Sequence, residues 1–294
     1  MKNLKLYIAL SYGLIWLMGG AFYLTGTNVS SYAGASTYWV SICMLIPLVS
    51  TLICQKVNKQ PLLRGIGVNW KVNRWWFVGW LLIPVVCLLT ILFNYFLSDF
   101  STENTPIEAV CSAFHTTPAI AVAITIAIGM IAGATLNALF AFGEESGWRG
   151  YLLKQLENKS FLSVAVATGI LWGLWHAPII LLGYNYPQHP QIGVLYMVVL
   201  CILLTLIIQY IRIKSGSVIV AAIMHGTFNA LAGTVLLFIE IPPNDLLDGG
   251  TGLAGLLALL VVAIVLFLFD RYVTRERIFT SPVNLDTIKA VHSR

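Results

Sequence analysis

Glu144 and Glu145 stand side by side at the end of an uncharged run of about two dozen residues, 119–143, and Arg149 follows within the next turn. If the helix carrying that run continues through the pair, Glu145 and Arg149 are i and i+4 and can form an ion pair. Glu144 then points about 100° away around the axis, lacks that partner and can face a cavity. Further along, "ILWGLWHAPIILLG" places His176 one turn after Trp172 and just before Pro178, where proline frees a backbone carbonyl and kinks a helix. In "MHGTFNA" His225 and Asn229 are again i and i+4 and share a helical face. Carboxylates and imidazoles can take a proton from water, and imidazole and amide N–H groups can hold a developing oxyanion. Singly, each group has a plainer reading: a solvated helix end for the glutamates, interhelical hydrogen bonds for the histidines and asparagine. Chance packing explains each one better than it explains all of them together.

The elements that must position these groups are membrane helices. Of 294 residues, 58% are hydrophobic and only 10% charged, with a mean hydropathy of +0.84, outside the usual composition of soluble domains. A bilayer core needs about 20 apolar residues per helix, and runs of that length fall near 6–25, 37–55, 75–98, 119–143, 161–182, 191–211, 216–238 and 253–269. The expected fold is an all-α polytopic bundle of about eight transmembrane helices, forming a single membrane domain over 1–294 with its motif-bearing core at 119–238. Lys2 and Lys5 before the first run, and Ala33 and Ala35 beyond it, resemble a cleaved signal peptide. The run is long and holds Trp16 and Tyr23, so a retained first helix is expected.

With eight crossings and a cytoplasmic N-terminus, all 17 Lys and Arg fall on the cytoplasmic side, as short loops require. The opposite loops carry only acids: Asp99, Glu103, Glu108, Glu240, Asp245 and Asp248. Both termini are therefore expected in the cytoplasm, and the chain in the cell membrane. The net charge of +5 reflects that orientation, so no nucleic-acid partner is implied. The five cysteines show no metal or redox spacing, and no disulfide is expected. His115 and His189 fall in the acidic loops and His292 in the tail.

The three motifs, in this order, resemble the CPBP (Abi) family of membrane proteases, which includes type II CAAX prenyl endopeptidases and bacteriocin-processing and immunity-associated proteins. Its EExxxR motif matches Glu144 to Arg149 in full; its FxxxH motif corresponds to Trp172 to His176, with Trp in place of Phe; its HxxxN motif matches His225 to Asn229. The resemblance covers about 119–238 and implies an intramembrane endopeptidase whose cavity opens toward the cytoplasm. It implies that Glu144 and His176 activate water, that His225 and Asn229 hold the oxyanion, and that Glu145 and Arg149 position the first pair. The substrate would be a membrane-associated peptide, prenylated or of the leader or signal type, cut near the cytoplasmic face.

Alternatives stay open at this point. His176, His225 and a Glu could bind Zn with a water at the fourth position, but no HExxH spacing supports zinc independently, and metal-free glutamate catalysis is the expectation. A catalytically silent immunity or scaffold protein would keep the same motifs. A transporter would also carry intramembrane Glu and His, although the inverted repeats and paired broken helices of transporters are missing. One distance does not close: at 1.5 Å per residue, His225 lies roughly 14 Å and His176 roughly 22 Å from the cytoplasmic helix ends, while a helix starting at Ala119 puts Glu144 near the inner face.

Overall fold

The computed structural model describes residues 2–30, 36–103 and 105–285. Ala33, Ala35, Lys289, His292 and Arg294 lie outside the described residues. Eight helices are long and apolar enough to cross a bilayer: α1 Asn3–Thr25, α2 Tyr38–Val57, α3 Arg74–Leu97, α4 Pro118–Gln155, α5 Phe161–Ile180, α6 Pro190–Ser215, α7 Val218–Phe238 and α8 Leu253–Tyr272. The chain is an all-helical, multi-pass membrane protein, as its hydropathy pattern predicts.

The longest helix is α4, which runs for 38 residues, about 57 Å at 1.5 Å per residue. It carries the uncharged run and continues through Glu144 and Glu145 to Gln155, as the i, i+4 reading of Glu145 and Arg149 requires. Glu145 and Arg149 neutralise each other inside the protein, so these charges mark a buried polar layer instead of a helix end. Two stretches of α4, Gly133–Asn137 and Ser146–Leu152, are wound as π-helix, a widened turn often found at functional sites. Every residue of the second stretch is buried.

Other helices are interrupted where the sequence provides a reason. Within α2, the segments Ser36–Cys43 and Ile46–Val57 are separate, with Pro47 in the first turn of the second, where proline's missing N–H costs nothing. In α5 the first segment ends at Trp175, and Ala177–Ile180 resumes after His176 with Pro178 in its first turn.

Close packing of α4 against α7 depends on glycine. A Cβ on Gly226 would lie 2.5 Å from both Ala138 N and Gly133 O, and one on Gly133 would lie 2.4 Å from Thr227 Cα. Neither position has room for a side chain, and small residues let membrane helices approach in this way. The first helix is built into the same bundle: Tyr7 packs on Trp148 with ring centroids 5.8 Å apart, Tyr12 Oη donates to Leu171 O at 2.6 Å, and Trp175 Nε1 donates to Ser11 O at 3.0 Å.

The two ends of the bundle differ. At the Lys/Arg end, the 58–73 connection is pinned by Gln55, whose side chain accepts from Leu63 N at 2.8 Å and donates to Arg64 O at 3.1 Å. The same connection is tied to α7 through Val218 N and Gly67 O, 2.9 Å apart. At the opposite end, Asp248 accepts from Asn94 Nδ2 at 2.7 Å, from Asn244 N at 2.8 Å and from Ser98 Oγ. Asp245 accepts from Gln188 N at 2.6 Å and pairs with His189 Nδ1 at 2.7 Å. Two of the acids in the Lys/Arg-free loops therefore fasten those loops together.

Candidate functional site

All six candidate residues sit where α4, α5 and α7 meet. Glu145 and Arg149 are each 0% exposed. Glu145 Oε1 accepts from Arg149 Nη1 at 2.9 Å and from His225 Nδ1 at 2.9 Å. Arg149 Nη2 donates to Thr205 Oγ1 on α6 at 2.8 Å, and its guanidinium lies 4.1 Å from the centre of the Trp172 ring. The ion pair, the hydrogen bonds and the cation over the indole face offset part of the cost of burying these charges, while Glu145 Oε2 and Arg149 Nε are buried with no hydrogen-bond partner.

Trp172 joins the two halves of the site. Its Nε1 donates to Glu144 Oε2 at 2.5 Å, its backbone oxygen is 2.9 Å from His176 Nδ1, and its ring meets His225 edge-on with centroids 5.2 Å apart. Glu144 is thus held by α5, while its neighbour Glu145 is held by Arg149 on its own helix and by α7. The i, i+4 pairing predicted from spacing is present, and so is the outward turn of Glu144: this carboxylate lines a cavity of about 300 Å³ together with His176, His225 and Asn229. At the ~30 Å³ that one water occupies in the liquid, the space holds roughly ten. Asn137 and Tyr184 also line it.

Hydrogen bonding fixes which nitrogen carries the proton on each imidazole. A carbonyl oxygen only accepts, so His176 Nδ1 must donate to Trp172 O, and its Nε2 carries a lone pair when the ring is neutral. His225 Nδ1 donates to the Glu145 carboxylate, so its Nε2 is the ring nitrogen left for a second partner.

The end of α4 at Gln155 places Glu144 about 16 Å along its helix, within the span. From Phe161, His176 lies about 22 Å along α5, and from Val218, His225 lies about 10 Å along α7; the three nevertheless line one cavity.

Glu145 bonds to His225, and Arg149 packs on Trp172, which in turn contacts Glu144 and His176. Beyond the motif residues, Tyr184, Asn185 and Thr251 line the cavity. Sequence reading missed Thr205 and Asn137, single polar residues in apolar helices with no motif around them. It noted Trp172 as an aromatic but not as a donor, although the Trp at this position was the available signal. Among the described residues no three His, Cys, Asp or Glu side chains converge in a way that could hold a metal ion.

Fold and site together define a polytopic helical membrane protein with a buried Glu–Arg–His network beside a cavity of about 300 Å³. Residues 129–231 match the family described as type II CAAX prenyl endopeptidase Rce1-like, and this segment contains all six site residues. The chain is also similar to the CAAX prenyl protease 2 of Methanococcus maripaludis, 26% identical over 201 residues, covering 63% of this chain and 65% of that relative. The match thus spans less than two thirds of the relative's length. The motif-bearing core is Rce1-like, of the CPBP kind that its three motifs resemble.

Proposed function

We propose that this protein is an intramembrane endopeptidase of the cell membrane, with both termini cytoplasmic, that hydrolyses a peptide bond of a membrane-associated peptide. One observation carries the reading: Glu144, His176, His225 and Asn229, from three helices, line one cavity. The Rce1-like match over the same residues and the relative named a CAAX prenyl protease support it.

In this mechanism Glu144 acts as general base on a water that also donates to the lone pair of His176 Nε2. The water oxygen attacks the scissile carbonyl as its proton passes to Glu144. The carbonyl becomes an oxyanion, which accepts from the Nε2–H of the His225 imidazolium and from the Asn229 amide. Collapse of the tetrahedral intermediate breaks the C–N bond, and the proton held by Glu144 moves to the leaving amine. Both carboxylate and imidazoles return to their starting states. Glu145 and Arg149 touch no reacting atom; they hold His225 and Trp172 in place. No step is routed through a metal. The substrate is a prenylated or a leader- or signal-type peptide, anchored by an apolar segment.

The test is Glu144→Gln, which keeps size and the Trp172 contact but removes the base. Peptides released by cells carrying the intact protein and absent from cells carrying Glu144→Gln identify both activity and substrate. Identical peptide profiles would overturn the reading in favour of a silent scaffold or a transporter.

A further inference from the structure

One short segment concentrates positive charge with no counter-charge of its own. From Lys56 to Arg74 the chain holds five cations, Lys56, Lys59, Arg64, Lys71 and Arg74, and no Asp or Glu. All five are exposed. Among the described residues none of them forms an ion pair, whereas Lys154 pairs with Glu157 at 2.5 Å and Lys214 with Glu276 at 3.0 Å. Arg74 lies beside an aromatic instead, its guanidinium 5.5 Å from the centre of the Trp75 ring.

The same segment exposes apolar side chains outside the membrane spans. Helix α2 ends at Val57 and α3 begins at Arg74, so residues 58–73 lie beyond the helix ends. There Leu62 is 58%, Trp70 74% and Val72 62% exposed. Within a span such residues face lipid tails; in a connection they face water unless the segment lies on the bilayer surface. Tryptophan, with its apolar ring and polar N–H, settles at the headgroup level.

The connection is fastened to the bundle along its length. Gln55 binds Leu63 and Arg64, Arg212 Nη2 donates to Ile66 O at 3.4 Å, and Val218 N donates to Gly67 O at 2.9 Å. Ser217 Oγ donates to Asn69 O at 2.5 Å and Asn73 Nδ2 to Ser215 O at 2.9 Å. Ile66 is 1% exposed and packs on the turn that carries Arg149: a Cβ on Gly150 would lie 3.0 Å from Ile66 Cβ. These bonds direct the backbone inward and leave the five cations and the apolar groups on the outer surface, in fixed positions.

We propose that this surface binds the headgroups of anionic glycerophospholipids in the leaflet it meets, with the Lys and Arg side chains on the phosphates and Leu62, Trp70 and Val72 entering the acyl boundary. Basic segments at a membrane surface attract anionic lipid in this way, and apolar burial adds to the attraction. The contact is independent of the endopeptidase reading and holds whichever leaflet that is. Because the connection packs on the Arg149 turn, lipid bound to it stabilises the folded protein.

The test uses the full-length protein purified in a non-ionic detergent. The probes are phosphatidylglycerol, phosphatidylcholine of the same acyl chains, and inorganic phosphate, read by native mass spectrometry and by melting temperature. Phosphatidylglycerol is expected to be retained and to raise the melting temperature, and the other two to do neither. Salt at about 1 M, where the screening length is about 3 Å, is expected to release the lipid. Lys56→Gln, Lys59→Gln, Arg64→Gln, Lys71→Gln and Arg74→Gln together are expected to weaken phosphatidylglycerol binding roughly 10-fold or more. Lys5→Gln, Lys159→Gln, Arg271→Gln, Arg275→Gln and Arg277→Gln together remove the same charge from exposed positions at the same end of the bundle and are expected to leave binding unchanged. The proposal is overturned if both variants lose binding equally, if the first loses none, if phosphatidylcholine or inorganic phosphate acts as phosphatidylglycerol does, or if the lipid survives high salt. The probe and salt measurements use the unsubstituted protein, so they decide the matter even where a variant misfolds.

Discussion

Trp172 Nε1 donates to Glu144 Oε2 across 2.5 Å, so the carboxylate proposed as general base is fixed by the residue that stands where the related motif has phenylalanine. Phenylalanine supplies the ring but not the donor. In this protein the indole also lies under Arg149 and against His225, which makes it the common contact of both halves of the site.

Trp172→Phe separates the two contributions. The ring remains available to Arg149 and His225, while Glu144 loses a charge-assisted hydrogen bond of about 1.5–3 kcal/mol. The expected outcome is a fall in kcat of roughly 10- to 100-fold with little change in KM, since the substrate does not touch this bond. Trp172→Ala is expected to lower thermal stability as well, because Arg149 then loses its apolar cover. Steady-state kinetics and detergent melting curves on the pair check both statements.

Breaking the Glu145–Arg149 ion pair leaves one charge buried alone. Both side chains are fully inaccessible, and removal of one partner of such a pair costs about 3–5 kcal/mol. Arg149→Ala is therefore expected to be poorly folded. Glu145→Gln also leaves the Arg149 charge without its counter-ion, but its amide oxygen still accepts from Arg149 and from His225 Nδ1, so a smaller loss is expected. The measurement is thermal unfolding of both variants beside their activity: melting temperatures below the unsubstituted protein for both, with Arg149→Ala the lower of the two.

Much of this arrangement is visible in the sequence, and the exceptions share a cause. Eight spans follow from hydropathy because bilayer thickness sets helix length, and the Glu145–Arg149 and His225–Asn229 relations follow from helical spacing. The burial of that pair does not, because a charged pair that neutralises itself inside a bundle looks, in one dimension, like a solvated helix end. The Glu145–His225 bond joins residues 80 positions apart, and periodicity within one helix says nothing about which face meets another. Thr205 and Asn137 carry no pattern at all; only the packing of α6 and α7 against α4 gives them partners.

In the proposed mechanism Asn229 is an oxyanion donor and not part of the framework. It is exposed to the cavity while its neighbour Phe228 and the residues 224–227 are buried. Asn229→Ala is expected to leave the melting temperature unchanged and to reduce kcat about 10²- to 10³-fold, the usual effect of losing one oxyanion donor. An unchanged kcat would remove Asn229 from the mechanism.

Activity is expected to persist after exhaustive treatment with EDTA or 1,10-phenanthroline. The reasoning is that His225 already directs one ring nitrogen to Glu145, His176 directs one to a backbone carbonyl, and Glu144 is engaged by Trp172, so each remaining atom has a role in proton transfer or oxyanion binding. Loss of activity on chelation, restored by adding zinc, would replace the glutamate-base mechanism with a metal-assisted one at the same residues.

Gly226 tests whether the site depends on how closely α4 and α7 approach. It lies next to His225, and the 2.5 Å available to a Cβ against Ala138 N and Gly133 O is backbone on both sides, so no side-chain rotation can relieve a clash. Gly226→Ala must push the helices apart or rotate one of them, and either movement stretches the 2.9 Å bond between Glu145 and His225. A displacement of about 1 Å can cost on the order of 100-fold in rate, so the alanine variant is expected to lose most activity while remaining in the membrane. Gly13, where a Cβ would find nothing within 4 Å, provides the control: Gly13→Ala adds the same methyl to a membrane helix and is expected to be silent. Comparing the two variants in one kinetic assay separates the effect of helix spacing from that of adding a methyl group, and equal activities would show that the α4–α7 contact does not set the site.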